Sequence, residues 1–235
     1  MDLPEKLKIG THSFPVDYEI NLKANSSVRI RKGRVVLKLS RFMMGRKRDE
    51  VVEKFLKWAM KKLEKGASGN FVEPSYKDGG RVCTHNKIYE IAIVHEDRKS
   101  VRTDLIDGYL IRVKLPQGRR DVREIIEKAI IKDQIDYLKE VVSELNDLHF
   151  KFRFNMVRFK RMNSRFGSCS SKGNINIAYR LLFAPREVFQ YVCVHELAHL
   201  KQMNHSKKFW ALVGEAVPEY KEHEKWLKDS GFMLG

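Results

Sequence analysis

The sequence predicts an α+β fold, because segments with strand periodicity are interspersed with long amphipathic helices. Apolar residues recur at helical spacing in 49–64 and 121–148. Apolar and polar residues alternate in 16–24, 27–40, 87–97, 100–106 and 109–115. Since most of the alternating segments precede the second helix, we expect the N-terminal half to be rich in strands.

Two dipeptides mark tight turns between neighbouring strand patterns. Lys32-Gly33 divides the segment 27–40, and Asp107-Gly108 joins the last two alternating segments. Xaa-Gly at such a place is typical of a β-hairpin, because glycine adopts the positive φ that the turn requires. The sequence therefore predicts a hairpin at each dipeptide.

We place a boundary between two lobes near Gly118. Residues 1–118 contain the strand patterns listed above, one helix and many basic side chains. Residues 119–235 begin with the long helix and continue through two more strand patterns at 155–162 and 174–183. They end in the helix after Pro185 and in two short helices separated near Pro218. No internal repeat and no low-complexity segment is apparent.

The chain carries a large excess of positive charge. It has 46 Lys and Arg residues against 30 Asp and Glu residues, a formal net charge of +16. Such a charge attracts polyanions, so nucleic acid is a candidate partner. A solvated basic surface on an ordinary protein explains the same charge equally well, and the oligomeric state is left open.

The cysteine content and the hydropathy pattern predict a cytoplasmic protein. Three scattered cysteines, Cys83, Cys169 and Cys193, do not suggest a disulfide framework and favour a reducing compartment. No apolar run resembles a signal peptide or reaches the length that spans a bilayer. We therefore expect no membrane segment.

One stretch of the second lobe has the spacing of a metal site. His195 and His199 are four residues apart, so on a helix both imidazoles lie on one face. His205 follows just beyond the expected helix end near Met203 and supplies a third ligand. In the H-E-x-x-H pattern two histidines bind zinc, and three protein ligands leave one position for water. The pattern predicts one Zn²⁺ per chain.

Glu196 lies between the first two histidines and is the predicted general base. Zinc lowers the pKa of its bound water towards neutrality, which makes the water a nucleophile. Glu196 would accept the proton of that water and then pass it to the leaving group. The electrophile is either a peptide carbonyl or a phosphoryl group, because the motif does not distinguish them.

A longer series of motifs surrounds the histidines between Met162 and Trp210. It comprises an aromatic-Gly-Ser-Cys-Ser turn, an Asn, a Pro that can open a helix, and the motifs HELAHL, NHS and FW. These motifs are Phe166–Ser170, Asn176, Pro185, His195–Leu200, Asn204–Ser206 and Phe209–Trp210. The series resembles the YgjP-like metallopeptidase domain family, which is related to the SprT/Wss branch of the zincins. The family usually has Trp where this chain has Phe166.

The resemblance implies a zincin-like catalytic lobe in which His195, His199 and His205 bind zinc and Glu196 is catalytic. It implies a zinc-dependent hydrolase, with a metallopeptidase as the first hypothesis. The second hypothesis is a nucleoside triphosphate pyrophosphatase, acting on UTP in particular, that uses the same metal site. The third is a DNA-associated protease or a DNA-binding module, although an intact Glu196 argues against a purely structural metal.

A basic segment leads into the predicted metal helix. Residues 151–186 hold nine basic residues and no acidic one. Arginine side chains match the geometry of phosphate oxygens, so Arg161 and Arg165 are predicted to bind an anionic substrate. Ser168, as a hydrogen-bond donor, and Asn176 complete the set of candidate substrate-binding residues. A merely solvated basic face is the alternative interpretation.

Overall fold

The computed structural model describes residues 3–10, 12–31, 33–67, 74–162 and 164–234. Eleven strands, six α-helices and one 3-10 helix occur in these ranges, which confirms the α+β fold class. The chain divides into two compact units, one formed by Met1–Phe71 with Glu224–Gly235 and the other by Val72–His223. The boundary predicted near Gly118 lies within the second unit, so the division into lobes 1–118 and 119–235 stays a prediction.

The first unit is a four-stranded sheet covered by a long helix. The strand order is β1-β2-β4-β3, with β2 and β4 parallel at the centre and an antiparallel strand on each side. Val52, Ala59 and Leu63 of the helix share a buried core with alternate residues of β4, because the side chains of a strand point to opposite faces in turn. The elements are β1 (Lys6–Ile9), β2 (His12–Asn21), β3 (Ser27–Arg31), β4 (Arg34–Ser40) and α1 (Gly45–Ala67).

The second unit begins with a sheet of the same design. The order is β5-β6-β8-β7, with β6 and β8 parallel at the centre, and the helix that follows packs on β7 and β8. The elements are β5 (Arg81–Cys83), β6 (Ile88–Glu96), β7 (Arg102–Ile106), β8 (Leu110–Pro116) and α2 (Arg123–Asp133).

The chain therefore contains a structural repeat of four strands and a helix. We expected no internal repeat from the sequence, and at the level of sheet topology that expectation is wrong. EVVEK of α1 and EIIEK of α2 stand at equivalent places, at residues 50–54 and 124–128. The two copies also share the tripeptides YEI, at residues 18–20 and 89–91, and SVR, at residues 27–29 and 100–102. Matches this short are hard to tell from the alternation that any amphipathic strand shows, so the sequence pattern alone did not predict the repeat.

The long helix predicted over 121–148 is two helices, α2 and α3 (Ile135–His149), separated at Gln134. Gln134 is 2 % exposed, and its side chain donates to the Tyr89 hydroxyl at 2.6 Å and accepts from the Asn86 amide at 2.9 Å. Its ψ of 1° departs from helical geometry. Tertiary hydrogen bonds thus accompany a break that the apolar spacing does not predict.

A three-stranded sheet in the second unit packs against α4 (Arg186–Ala198), the helix that contains His195 and Glu196. Its order is β10-β11-β9, with β10 antiparallel and β9 parallel to β11. The helices α3 and α4 pack on this sheet, where Ile175 and Ile177 are fully buried. The bounds of the remaining elements are β9 (Met156–Lys160), β10 (Gly167–Cys169), β11 (Asn174–Ala178), a 3-10 helix (Tyr179–Phe183), α4 (Arg186–Ala198), α5 (Lys207–Ala216) and α6 (Tyr220–Ser230).

The turn predictions agree with the backbone where it is described. Asp107 and Gly108 have φ of 49° and 75°, as a two-residue hairpin turn requires. Gly33 has φ of 66°, whereas Lys32 lies outside the described residues. Two short helices, α5 and α6, are separated around Pro218, as the sequence predicts. Among the described residues, no helix combines the length and apolar character that crossing a bilayer requires.

Candidate metal centre

Helix α4 carries the first two histidines at its C-terminal end. The helix begins directly after Pro185, as predicted, and most of its residues are buried. It ends at Ala198, several residues before the expected end near Met203, and a tight turn follows. His199 occupies the C-cap with φ −64° and ψ −20°, so it keeps the helical relation to His195. The two imidazoles therefore lie on one face.

His205 reaches the same place from the start of the next helix. The hydroxyl of Ser206, the N-cap of α5, accepts a hydrogen bond from the Phe209 N–H at 3.4 Å. This cap fixes the chain at the residue after His205, and the His205 ring lies against the other two. One ring nitrogen from each of the three histidines can serve as a ligand, and these three nitrogens lie within 4.8 Å of one another.

The ring of Phe209 packs against all three imidazoles. Its centroid is 4.8 Å from that of His195, 4.5 Å from that of His199 and 4.8 Å from that of His205. Phe209 is fully buried, so its position is determined by the core. The FW motif marked this residue in the sequence, but His205 precedes the N-cap of α5, so helical spacing does not predict the contact.

The three histidines have the geometry that a metal site needs, and the tautomer of His199 suits metal binding. The Nε2 atoms of His195 and His205 are 3.1 Å apart, close to the roughly 3.3 Å between two tetrahedral ligands at about 2.0–2.1 Å from zinc. His199 Nδ1 lies 2.9 Å from the carbonyl oxygen of Gln202 and must donate to it, which leaves Nε2 free to bind an ion. The residues therefore fit a divalent metal.

Burial keeps two of the imidazoles neutral. Burial, with a smaller contribution from the other two histidines, lowers the pKa of His195 to about 3. The pKa of His199 is also lowered, mainly by burial. Metal binding requires the neutral imidazole, so these shifts favour the liganding form at neutral pH.

Glu196 is a buried carboxylate with an unused acceptor. It is 4 % exposed, and its Oε2 atom has no hydrogen-bond partner among the described residues. Burial raises its pKa to about 8, and the positive charge of Arg165 opposes that shift. Buried polar atoms without partners are rare in proteins, so this oxygen is suited to receive a hydrogen bond or a proton from a bound molecule.

The cysteines near Glu196 do not have nucleophilic character. Burial and then the charge of Glu196 raise the pKa of Cys169 to about 11. The same two causes raise the pKa of the fully buried Cys193. Since the thiolate is the reactive form, both residues are packing residues at neutral pH.

Ser168 and Asn176 lie together on the exposed face of the three-stranded sheet. They are paired across β10 and β11, and the Asn176 amide donates to the Ser168 hydroxyl at 3.1 Å. Arg158, which the sequence analysis did not select, donates to Asn176 Oδ1 at 2.8 Å. Gly167 faces Glu196, and side chains alternate along a strand, so Ser168 points to the opposite face. The structure does not bring these two candidates to the histidines.

The two candidate arginines differ in their surroundings. Arg161 forms ion pairs with Glu124 at 3.2 Å and with the buried Glu127 at 2.8 Å. Arg165 is exposed, and its charge acts on Glu196. Of the two predicted phosphate-binding residues, only Arg165 therefore has a charge directed at the candidate centre.

Residues 24–230 match the family model described as YgjP-like, metallopeptidase domain. The chain belongs to the YgjP-like family. This match covers most of the chain and includes all three histidines and Glu196.

Individual relatives of this YgjP-like protein match shorter regions. The UTP pyrophosphatase of Escherichia coli strain K12 is 36 % identical over 58 residues, which are 25 % of this chain and 35 % of that protein. The chain thus spans about a third of the length of this curated relative.

Two solved structures match part of the chain at low overall similarity. The metallopeptidase zymogen of Pyrococcus abyssi abylysin has a TM-score of 0.36 and 27 % identity, over 38 % of this chain and 91 % of that chain. The metallopeptidase zymogen of Methanocaldococcus jannaschii jannalysin has a TM-score of 0.33 and 24 % identity, over 38 % and 92 %. Scores this low assign no further property to the YgjP-like protein.

Replacing Arg161 by Ala is expected to lower the free energy of unfolding of the YgjP-like protein by about 1–3 kcal/mol. The buried Glu127 carboxylate loses one of its cationic partners in this variant. Arg165→Ala is the matched control and should stay within about 0.5 kcal/mol of wild type. Urea unfolding measures both, and equal stability of the two variants would contradict a structural role for Arg161.

Proposed function

We propose that this protein is a zinc-dependent hydrolase that cleaves peptide bonds. The observation that carries the proposal is the convergence of three imidazoles next to Glu196, a buried carboxylate whose Oε2 has no hydrogen-bond partner in the part of the chain that the structure describes. Membership of a family described as a metallopeptidase domain supports the same function. His195, His199 and His205 would hold one ion, and Glu196 would be the general base.

The chain's own residues divide the work of the reaction. A zinc ion held by the three histidines would supply a Lewis acid that polarises the carbonyl and acidifies a water molecule. Glu196 accepts the proton of the attacking water at its unpaired Oε2 and then gives that proton to the leaving amine. Burial makes this carboxylate a stronger base than an exposed one. Gln202 and Phe209 hold the imidazoles in place.

The edge of the small sheet favours a peptide as the substrate. β10 is the outer strand of this sheet among the described residues. The backbone N–H of Ser170 donates to the Asn174 carbonyl at 3.0 Å, so these two residues form a hydrogen-bonded pair. Hydrogen-bonded and non-hydrogen-bonded pairs alternate along an antiparallel ladder, so Gly167 and Cys169 belong to non-hydrogen-bonded pairs. The backbone N–H and C=O groups of Gly167 and Cys169 therefore point away from β11. An extended peptide can pair with such an edge, beside Glu196.

A nucleoside triphosphate pyrophosphatase on the same centre is the second candidate. Two observations favour it: the partial match to a UTP pyrophosphatase and the exposed Arg165 whose charge reaches Glu196. A nucleic-acid partner, by contrast, rests on the net charge of +16 and has no geometric support. The three unpaired cysteines favour a reducing compartment, which supports the inference of a cytoplasmic location.

The purified protein is expected to bind one Zn²⁺ per chain through the three histidines. His199→Ala should weaken zinc binding by more than about a hundredfold, because even second-shell changes cost about 10–100-fold. His149→Ala, at an exposed histidine on α3, is the matched control and should bind like wild type. Competition with a chromophoric chelator measures the affinities. Equal affinity in the two variants would remove the metal site from the proposal.

Glu196→Gln is expected to keep the fold and the zinc but to lose hydrolysis. Glutamine has nearly the same shape and cannot accept the proton, so kcat should fall by about a hundred- to ten-thousandfold. Turnover of casein and of nucleoside triphosphates by the zinc-loaded protein measures the loss and identifies the substrate class. Unchanged turnover with full zinc occupancy would show that no general base acts at this position.

Arg165→Ala separates the two candidate functions. A peptidase in which Arg165 only carries surface charge should cut casein at the wild-type rate at every salt concentration. A pyrophosphatase should lose turnover in this variant, and the loss should shrink as salt rises, because exposed charges are screened over about 10 Å at 0.1 M. Arg153→Ala, at another exposed cation of the segment 151–186, controls for the loss of one positive charge.

A further inference from the structure

β10 approaches Glu196 so closely that no side chain fits at position 167. A Cβ atom built on Gly167 would lie 2.6 Å from both Cγ and Cδ of Glu196, and closer still to Oε1. Cβ atoms essentially never come within 3.0 Å of another heavy atom without displacing it. These three atoms of Glu196 are also the nearest heavy atoms to the Cβ position. The space that a side chain would occupy is therefore filled by the carboxylate.

The backbone of Gly167 does not itself require glycine. Gly173, four residues after the end of the same strand in the turn to β11, has φ of 72°, a conformation that other residues rarely adopt. The φ of Gly167 is not positive, and Gly167 pairs with Ile177 in a regular antiparallel ladder. An alanine could take this backbone conformation without strain. Glycine is thus needed at position 167 because the Glu196 side chain occupies the space that a Cβ atom would fill.

The position of the Glu196 side chain depends on packing. Its Oε2 atom has no hydrogen-bond partner among the described residues, so no bond to that atom holds the carboxylate in place. On one side it is confined by its own helix, α4, and on the other by the backbone of β10. Closely packed interiors restrict a side chain to the volume that its neighbours leave open.

We propose that Gly167 is the positioning residue for Glu196. The missing Cβ lets the carboxylate lie directly against the outer strand of the sheet, next to the backbone groups that would pair with a peptide. The proposal rests on the function proposed above, because it explains how the base and the substrate edge come together. A side chain at 167 would displace the Glu196 side chain rather than β10, since β10 is held by the β11 ladder and a glutamate side chain can rotate.

A set of double variants tests this by size. Gly167→Ala should lower the Tm of the zinc-loaded protein by about 2–10 °C, the range expected for modest overpacking. In the Glu196→Gln background, which keeps the side-chain volume, Gly167→Ala should lower the Tm by as much as in wild type. In the Glu196→Ala background, which lacks the Cγ, Cδ and Oε1 atoms, Gly167→Ala should leave the Tm almost unchanged. Gly214→Ala, with its nearest atom at an ordinary 3.4 Å, is the glycine control.

Equal Tm losses in the Glu196→Ala and Glu196→Gln backgrounds would overturn the proposal, because the alanine would then be meeting something other than the carboxylate. If Gly167→Ala alone fails to fold, the double variant with Glu196→Ala should still fold under the proposal. Failure of both would overturn it. These measurements do not use turnover, so they stand even if Glu196→Gln turns out to hydrolyse normally and the proposed function fails.

A functional measurement then connects the packing to catalysis. Gly167→Ala should keep its zinc stoichiometry and lose about a hundredfold in kcat, since a displacement of about 1 Å can cost that much. A crystal structure of this variant should show the Glu196 carboxylate moved and β10 in place. A structure with Glu196 unmoved and the strand displaced would contradict the positioning role.

Discussion

The packing of one aromatic ring against three imidazoles is the contact on which the candidate centre depends. Phe209 is fully buried and touches His195, His199 and His205 at centroid distances below 5 Å. Because the Phe209 ring is part of the core, it restricts the movement of the three imidazoles that pack against it.

The remaining parts of the centre come from separate elements, and each is fixed by a different force. His195 and His199 are placed by the helical geometry at the C-terminal end of α4, and His205 by the Ser206 cap of α5. Glu196 is held by steric confinement under β10, and His199 is oriented by a backbone carbonyl. Arg161 forms an ion pair with the buried Glu127, whereas the charge of Arg165 acts on Glu196.

Local patterns in the sequence predicted the individual elements well and their connections less well. The hairpin at Asp107-Gly108 and the α5–α6 break around Pro218 follow from backbone chemistry that is local to those residues. The break at Gln134 accompanies hydrogen bonds to Asn86 and Tyr89, which are distant in sequence. The repeated sheet topology is likewise invisible in alternation alone, since alternation records which face is buried and not which strand is the neighbour.

By itself the sequence determined the α+β class, the family and the residues of the metal motif, because a spacing of four on a helix fixes which side chains share a face. Only the tertiary structure decided what surrounds that motif. Ser168 and Asn176 were selected for their chemistry, but strand alternation turns them away from the face that meets Glu196. Gly167 carries no functional group at all. Its importance arises from the 2.6 Å that a Cβ atom there would leave to Glu196, a distance set by how β10 packs on α4.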